Sequence, residues 1–367
     1  AGLALAEPLP DQARALGYAP VLAEALGVAA ELEDWGGDAT KAERLYREAM
    51  LAAGRAGDDA RLAAAAGARI FVLGALGEGE RAIEAGTAAT AQAIRSRTPA
   101  LEGLVHNNLG ATYFQLGRQE LAGQELALAL KLREAALGPD HPLVASTLSN
   151  LGAVRRVQRK FDEAEALHRR SLDIKRRVLG PEHPEVAQSL TNLAAVFEGR
   201  GDPAGAYELE HDALALLERA MGPTHVKVAE SLNNLGSYAA GQGKWADAAR
   251  VLERAVTVFR AALPPAHPNL ARALASLGEA YVHLGHGPDA VPVLEEAVRI
   301  HIAAKTAAVD LAHAQSALAS ALVETRRDPA RACELVTRAR DAYRTAEDPS
   351  WLRDSEALRV RACKGRR

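Results

Sequence analysis

Four histidines recur at a single interval: His141, His183, His225 and His267 stand 42 residues apart. Imidazole is the commonest metal ligand and the side chain best suited to proton transfer near neutral pH. Ligands that share an ion must, however, converge to within about 2 Å of it. Equivalent residues in successive two-helix units lie on the order of 18–20 Å apart, because each helix adds about 8–10 Å. The four histidines therefore cannot meet at one ion. Three of them precede a proline (Pro142, Pro184, Pro268), and His225 precedes Val226. That context predicts a residue fixing the turn at a helix start. Glu210-His211-Asp212 sets three titratable groups side by side, but neighbours at i and i+1 do not share a helix face. His283 and His286 flank a predicted helix end, while His301 and His313 stand alone. No G-x-S-x-G, H-E-x-x-H or phosphate-binding loop occurs. The residues predict no catalysis, no metal and no cofactor.

A second chemistry repeats at the same interval. Asn108, Asn150, Asn192 and Asn234 form a column, with Ser276 at the next step, and Asn107, Ser149, Thr191 and Asn233 form another beside it. An amide offers both a donor and an acceptor, so a ladder of them can pair with the backbone of an extended chain. The alternative is that each asparagine ties its helix to the neighbouring repeat. Apolar side chains would serve a buried joint better, which favours a lined groove. Other groove candidates change between repeats: Tyr113, Phe114, Arg155, Arg156, Glu198, Ser237, Arg272 and His283. Such variation is what selection of one partner requires, since backbone contacts alone do not discriminate. Arg155 and Arg156 replace the aromatic position of Tyr113 and Tyr281, and suit either an acidic ligand group or a solvated patch.

The elements that carry these columns are written into one sentence, repeated. LGPDHPLVASTLSNLG (137–152) returns as LGPEHPEVAQSLTNLA (179–194), MGPTHVKVAESLNNLG (221–236) and LPPAHPNLARALASLG (263–278). At the end of each stretch stands a small residue, giving the column Gly110, Gly152, Ala194, Gly236, Gly278 and Ser320. Two further columns are small: Ala122, Ala164, Ala206, Ala248, Ala290, Ala332, and Ala129, Ser171, Ala213, Ala255, Ala297, Ala339. Small residues at fixed points let helix backbones approach closely, so the unit reads as a pair of helices. Gly117, Gly201, Gly243 and Gly285 supply a left-handed helix end, a column that Arg159 breaks. Pro203, Pro288 and Pro329 then open the second helix. Glu165 with Arg169, and Asp173 with Arg177, read as i,i+4 pairs on a solvated face.

Composition narrows the class. Of 367 residues 48% are hydrophobic but only 4% aromatic, which suits helices more than strands. A formal net charge of −3 gives no general attraction to nucleic acid or to an anionic membrane. No apolar run approaches the ~20 residues of a membrane span. Two cysteines, Cys333 and Cys363, are too few for a disulfide framework or thiolate zinc site, and Cys333 reads as plain packing. The opening AGLALAEPLP lacks an initiator Met and a basic region, so it is not an intact signal peptide and reads as a cut from a longer protein.

Leu109-Gly110-x-x-Tyr113, then Ala122-x-x-x-Leu126, then Ala129 resembles the tetratricopeptide signature, and Leu277-Gly278-x-x-Tyr281 with Ala290 and Leu294 does so equally. The ordinary unit has about 34 residues. The 42-residue period with its G-P-x-H-P link is similar to the lengthened repeats of kinesin light chains and many bacterial proteins. Nothing alternates with the strand period of a propeller, and the L-G…Y…A…A pattern argues against HEAT repeats. The resemblance implies an all-α, right-handed superhelix of about eight antiparallel helix pairs and a C-terminal capping helix. Irregular pairs are expected over 1–97, the regular array over 98–345, and a polar cap with a basic, frayed tail over 346–367. It also implies that the first helices line a concave groove, whose asparagines hold a ligand's main chain. The peptide-binding candidates are Asn107, Asn108, Asn150, Asn192, Asn233, Asn234, Tyr113, Arg155, Arg156 and Arg272.

The order ALGYAPVLAEAL, AExLYREAM, then repeated LGPxHPxVAxSLxNLG further resembles the C-terminal regions of myxobacterial-type serine/threonine kinases. There is no kinase glycine loop, HRD loop or DFG. The expectation is a protein- or peptide-binding arm of a signalling protein, without nucleic-acid or direct membrane binding. It would lie in the cytoplasm or, for a membrane-anchored kinase, outside it. The rival reading is a spacer or a self-association module, which admits a homo-oligomer.

Overall fold

The computed structural model describes residues 8–346 and 349–364. The expectations for the first seven residues and for the tail 365–367 fall outside them. The described chain is a succession of helices, without strands. They are α1 Leu9–Leu16, α2 Ala19–Gly36, α3 Ala39–Ala56, α4 Asp59–Ala75, α5 Gly79–Arg95, α6 Pro99–Gln115, α7 Gln119–Leu137, α8 Pro142–Val157 and α9 Phe161–Leu179. There follow α10 Pro184–Arg200, α11 Pro203–Met221, α12 Val226–Gly241, α13 Trp245–Ala262, α14 Pro268–His283, α15 Gly287–Ala304, α16 Ala308–Glu324, α17 Pro329–Thr345 and α18 Pro349–Ala362. The chain forms two compact units, residues 1–181 with α1 to α9 and residues 182–367 with α10 to α18.

In the first unit α1 lies on α2, and the pairs are α2/α3, α4/α5, α6/α7 and α8/α9. In the second the pairs are α10/α11, α12/α13, α14/α15 and α16/α17, with α18 against both α16 and α17. Within each unit the second helix of one pair packs on the first of the next, and the first helices also touch at α2/α4, α4/α6, α6/α8, α12/α14 and α14/α16. This is an all-α repeat solenoid. The alanine columns explain its tightness, since Ala122, Ala164, Ala206, Ala248, Ala290 and Ala332 are all completely buried. At the glycine column the fit is closer still: a Cβ on Gly278 would fall 2.3 Å from Leu294 Cγ. Only a residue without a side chain allows that approach.

The repeated histidines are helix caps. In His141, His183, His225 and His267 the Nδ1 accepts the backbone N–H two residues on, at 3.1, 3.2, 3.1 and 3.1 Å. Each thereby satisfies one of the donors a helix start leaves open. Gly117, Gly201, Gly243 and Gly285 turn with φ between +73° and +88°, and Arg159 adopts the same left-handed region at φ +59°.

Two sequence expectations are corrected. Cys333 and Cys363 form a disulfide, with Cα atoms 4.9 Å apart, joining α17 to the residue after α18. A spacing of 30 residues carried no signal of that closeness; the return of α18 onto α17 creates it. Arg169 does pair with Glu165 at 2.7 Å. Arg177, by contrast, sends its guanidinium to Asp140 across the repeat, at 2.7 Å, and meets only the backbone carbonyl of Asp173.

Candidate functional site

In the second unit α10 to α14 enclose an open cavity of about 600 Å³. Its lining includes Thr191, Asn233, Asn234 and Arg272, so members of both polar columns and one variable position meet there. Asn234 is half-buried and Asn233 buried, whereas Arg272 is exposed and has no ion pair among the described residues. Asn192, half-buried on α10, accepts from Gln188 Nε2 at 3.2 Å. At the cavity's inner end is Glu210, completely buried. Its Oε1 accepts the Ser231 hydroxyl at 2.7 Å and the Thr191 hydroxyl at 3.3 Å. Burial pushes the carboxyl up to about 7, against the opposing hydrogen bonds from Ser231, Thr191 and Asn234.

The first unit uses its amides differently. Asn108 donates to the Gly67 carbonyl at 3.0 Å, tying α6 to α4, and Asn107 donates to Asn108 Oδ1 at 3.0 Å. Asn150 in turn donates to Asn107 Oδ1 at 3.2 Å. Asn107 and Asn108 are buried and Asn150 half-buried. Beneath them Arg133 is 2% exposed, its Nη1 donating to the Leu143 carbonyl at 2.9 Å and to Thr147 Oγ1 at 2.7 Å. No carboxylate faces it, and burial pulls the guanidinium down to about 10. Asn107, Asn108 and Arg133 line a cavity of about 760 Å³ that also carries Trp35, Tyr46, Phe71 and Leu104.

Among the remaining predicted residues, Tyr113 is half-buried between two apolar clusters. Arg155 is engaged, with Glu163 at 2.9 Å and Gln158 at 2.8 Å. Arg156 is half-buried and has no ion pair among the described residues. His283 lies flat on the Trp245 ring, with centroids 3.7 Å apart.

Sequence reasoning passed over the buried ionisable groups. In sequence Glu210 reads only as one of three titratable neighbours, and nothing local marks His168. Yet both stand in one column, Leu126, His168, Glu210, Leu252 and Leu294, where two polar residues interrupt leucine. His168 is 1% exposed against Gly152, and burial pulls its imidazole down to about 4. Among the described residues, no three His, Cys, Asp or Glu side chains are grouped to hold a metal ion, and no helix is long and apolar enough to cross a membrane.

The tetratricopeptide repeat family profile matches residues 101–176, 144–219, 200–261 and 229–303, together more than half of the chain. A search of curated proteins finds no match. Among solved structures, the chain is similar to a signal transduction ATPase with numerous domains and a tetratricopeptide repeat sensor from Pyrococcus horikoshii. The two share 14% identity and a TM-score of 0.66, over 92% of this chain and 50% of that one. A Rap protein complexed with competence and sporulation factor gives 15% identity and a TM-score of 0.61, over 93% of this chain and 98% of that one. Kinesin light chain TPR-like repeats from Podosopora anserina give 23% identity and a TM-score of 0.47, over 57% and 99%. An array of this kind is a scaffold suited to protein–protein interaction and is typically non-catalytic. The chain belongs to the tetratricopeptide repeat family, its units recurring every 42 residues.

Proposed function

We propose that the chain binds a protein partner by holding an extended segment along its first helices. The half-buried amides of Asn150, Asn192 and Asn234 contact the segment's main chain, and Asn107, Asn108 and Asn233 brace them from behind. Tyr113, Arg156 and Arg272 select side chains, and Arg155 does so once released from Glu163. The observation that carries this reading is the cavity of about 600 Å³ in the second unit, where Thr191, Asn234 and Arg272 converge. Its polar lining suits main-chain recognition, in which each amide serves as donor and acceptor. The Rap protein of like fold is itself complexed with competence and sporulation factor. By resemblance of motif order, the chain acts as the docking or sensing arm of a larger serine/threonine kinase-like protein. It performs no reaction itself.

The test is affinity capture of proteome partners by the wild-type chain beside the triple variant Asn150→Ala, Asn192→Ala, Asn234→Ala. A protein retained by the first and lost from the second supports the groove. Retention of the same set by both sinks it, and light scattering that finds a concentration-dependent dimer instead would favour self-association.

A further inference from the structure

Glu210 occupies a position that the fold fills elsewhere with leucine. Leu126, Leu252 and Leu294 stand at the same point of their repeats, each pressed over a glycine. A Cβ on Gly110, Gly236 or Gly278 would fall 2.6, 2.5 or 2.3 Å from the leucine Cγ. In the repeat of Glu210 the residue beneath is Ala194 rather than glycine, so both members of the pair are altered. Packing does not call for a carboxylate here, since leucine serves the same joint three times over.

Nor does the surrounding hydrogen bonding use the group fully. The hydroxyls of Ser231 and Thr191 both point to Oε1 and the Asn234 amide also supports the carboxyl, while Oε2 is buried and makes no hydrogen bond of normal geometry. Asn233 Oδ1, buried in the lining of the same cavity, also accepts none. Buried acceptors without donors are rare and destabilising, and two in one cavity describe a demand for a donor supplied from outside. The cavity's other charged groups are Glu185 from α10, Lys227 and Glu230 from α12, and Arg272 from α14. Lys227 is paired with Glu230 at 2.8 Å rather than with Glu210.

We infer that this cavity captures a basic side chain of the partner segment, a lysine ammonium or an arginine guanidinium, with Glu210 Oε2 and Asn233 Oδ1 as its acceptors. Both cations carry several N–H donors, enough in number for two acceptors. Arrival of the cation favours the ionised carboxylate, so binding releases a proton and tightens as pH rises through neutrality. The inference rests on the peptide-groove reading and adds the chemistry of one pocket to it.

The probes are pools of short mixed-sequence peptides, capped at both ends, with Lys, Arg, norleucine or Glu fixed at the centre. Binding to the full chain is followed by fluorescence anisotropy at several pH values. The variants are Glu210→Gln, which removes the charge at constant shape, and Glu210→Leu with Ala194→Gly, which restores the pair of the other repeats and so keeps the fold. The expected result is that the Lys and Arg pools bind best and lose about tenfold or more in both variants, while the norleucine pool is unmoved. Equal binding of all pools, or basic pools that bind both variants as well as wild type, overturns the inference and leaves the groove standing. Binding of no pool at all overturns both.

Discussion

Asn108 Nδ2 donates to the carbonyl of Gly67 at 3.0 Å, a bond between α6 and α4 that is closed on both sides by protein. The same column therefore serves two purposes. Asn108 is a bracket between repeats, whereas Asn192 and Asn234 are half-buried and Asn234 faces a cavity. Asn108→Ala is expected to lose about 1–3 kcal/mol, because it removes the bond to Gly67 and leaves the buried Asn107 amide without its acceptor. Asn192→Ala is expected to change stability by less than about 0.5 kcal/mol. Urea unfolding of the two variants checks the contrast; equal losses would erase it.

Arg159 occupies the left-handed turn that glycine fills at 117, 201, 243 and 285, with φ +59°. A side chain in that region costs about 1–2 kcal/mol. Its guanidinium recovers part of this over the Phe161 ring, 5.5 Å from the centroid. Arg159→Gly is expected to stabilise the chain by about 1 kcal/mol, read as a rise in the urea midpoint; a fall would show that the ring contact dominates.

His183 caps α10 through Nδ1, with Glu185 N at 3.2 Å. His183→Ala should cost about 1 kcal/mol, whereas His183→Asn, whose side-chain oxygen can take the same N–H, should lose a few tenths at most. Thermal unfolding of both variants distinguishes a cap from a residue tolerated by chance.

Glu210 carries a pH signature. Burial raises its folded carboxyl to about 7 from an ordinary 4.5, so the folded state holds a proton the unfolded state has lost. Below the unfolded value both states are protonated and no penalty applies. Between about 4.5 and 7 the stability falls, by at most on the order of 3 kcal/mol, and above that it is level. Denaturant midpoints across this window should decline for wild type and stay flatter for Glu210→Gln. Parallel profiles would place the carboxylate in a far more solvated setting.

The solenoid was readable from sequence because its rules are local and repeated. A residue that must be small is small at every step, and the turn glycine recurs at 117, 201, 243 and 285, with Arg159 in its place once. The histidines were readable as helix starts for the same reason. What escaped were features owned by one repeat alone. Glu210 and His168 break a leucine column, and the signal lies in the exception to a period rather than in the period. Arg133, buried without a carboxylate, is visible only once α7 is laid against α8. The inward turn of Asn108 likewise depends on which carbonyl, here that of Gly67, lies across the joint.

Removing the disulfide should act chiefly at the end of the array. Closing a loop across 30 residues is worth about 3–4 kcal/mol in the chain-entropy view. Cys333→Ser with Cys363→Ser is therefore expected to lower the thermal midpoint. Hydrogen exchange should quicken first in α18, where Trp351 packs 5.4 Å from the Tyr343 ring. Loss of protection spread evenly over both units would argue that the bond supports the whole chain.

The same bond decides how the molecule would carry a mechanical load. A pull applied beyond Cys363 passes through sulfur to Cys333 and enters the fold inside α17. The covalent path skips the intervening segment, so α18 bears no tension and cannot be peeled away as the first casualty. Whatever is tethered on that side tugs on a helix anchored within the last repeat, and extension under force starts with a chain already shortened by the enclosed loop.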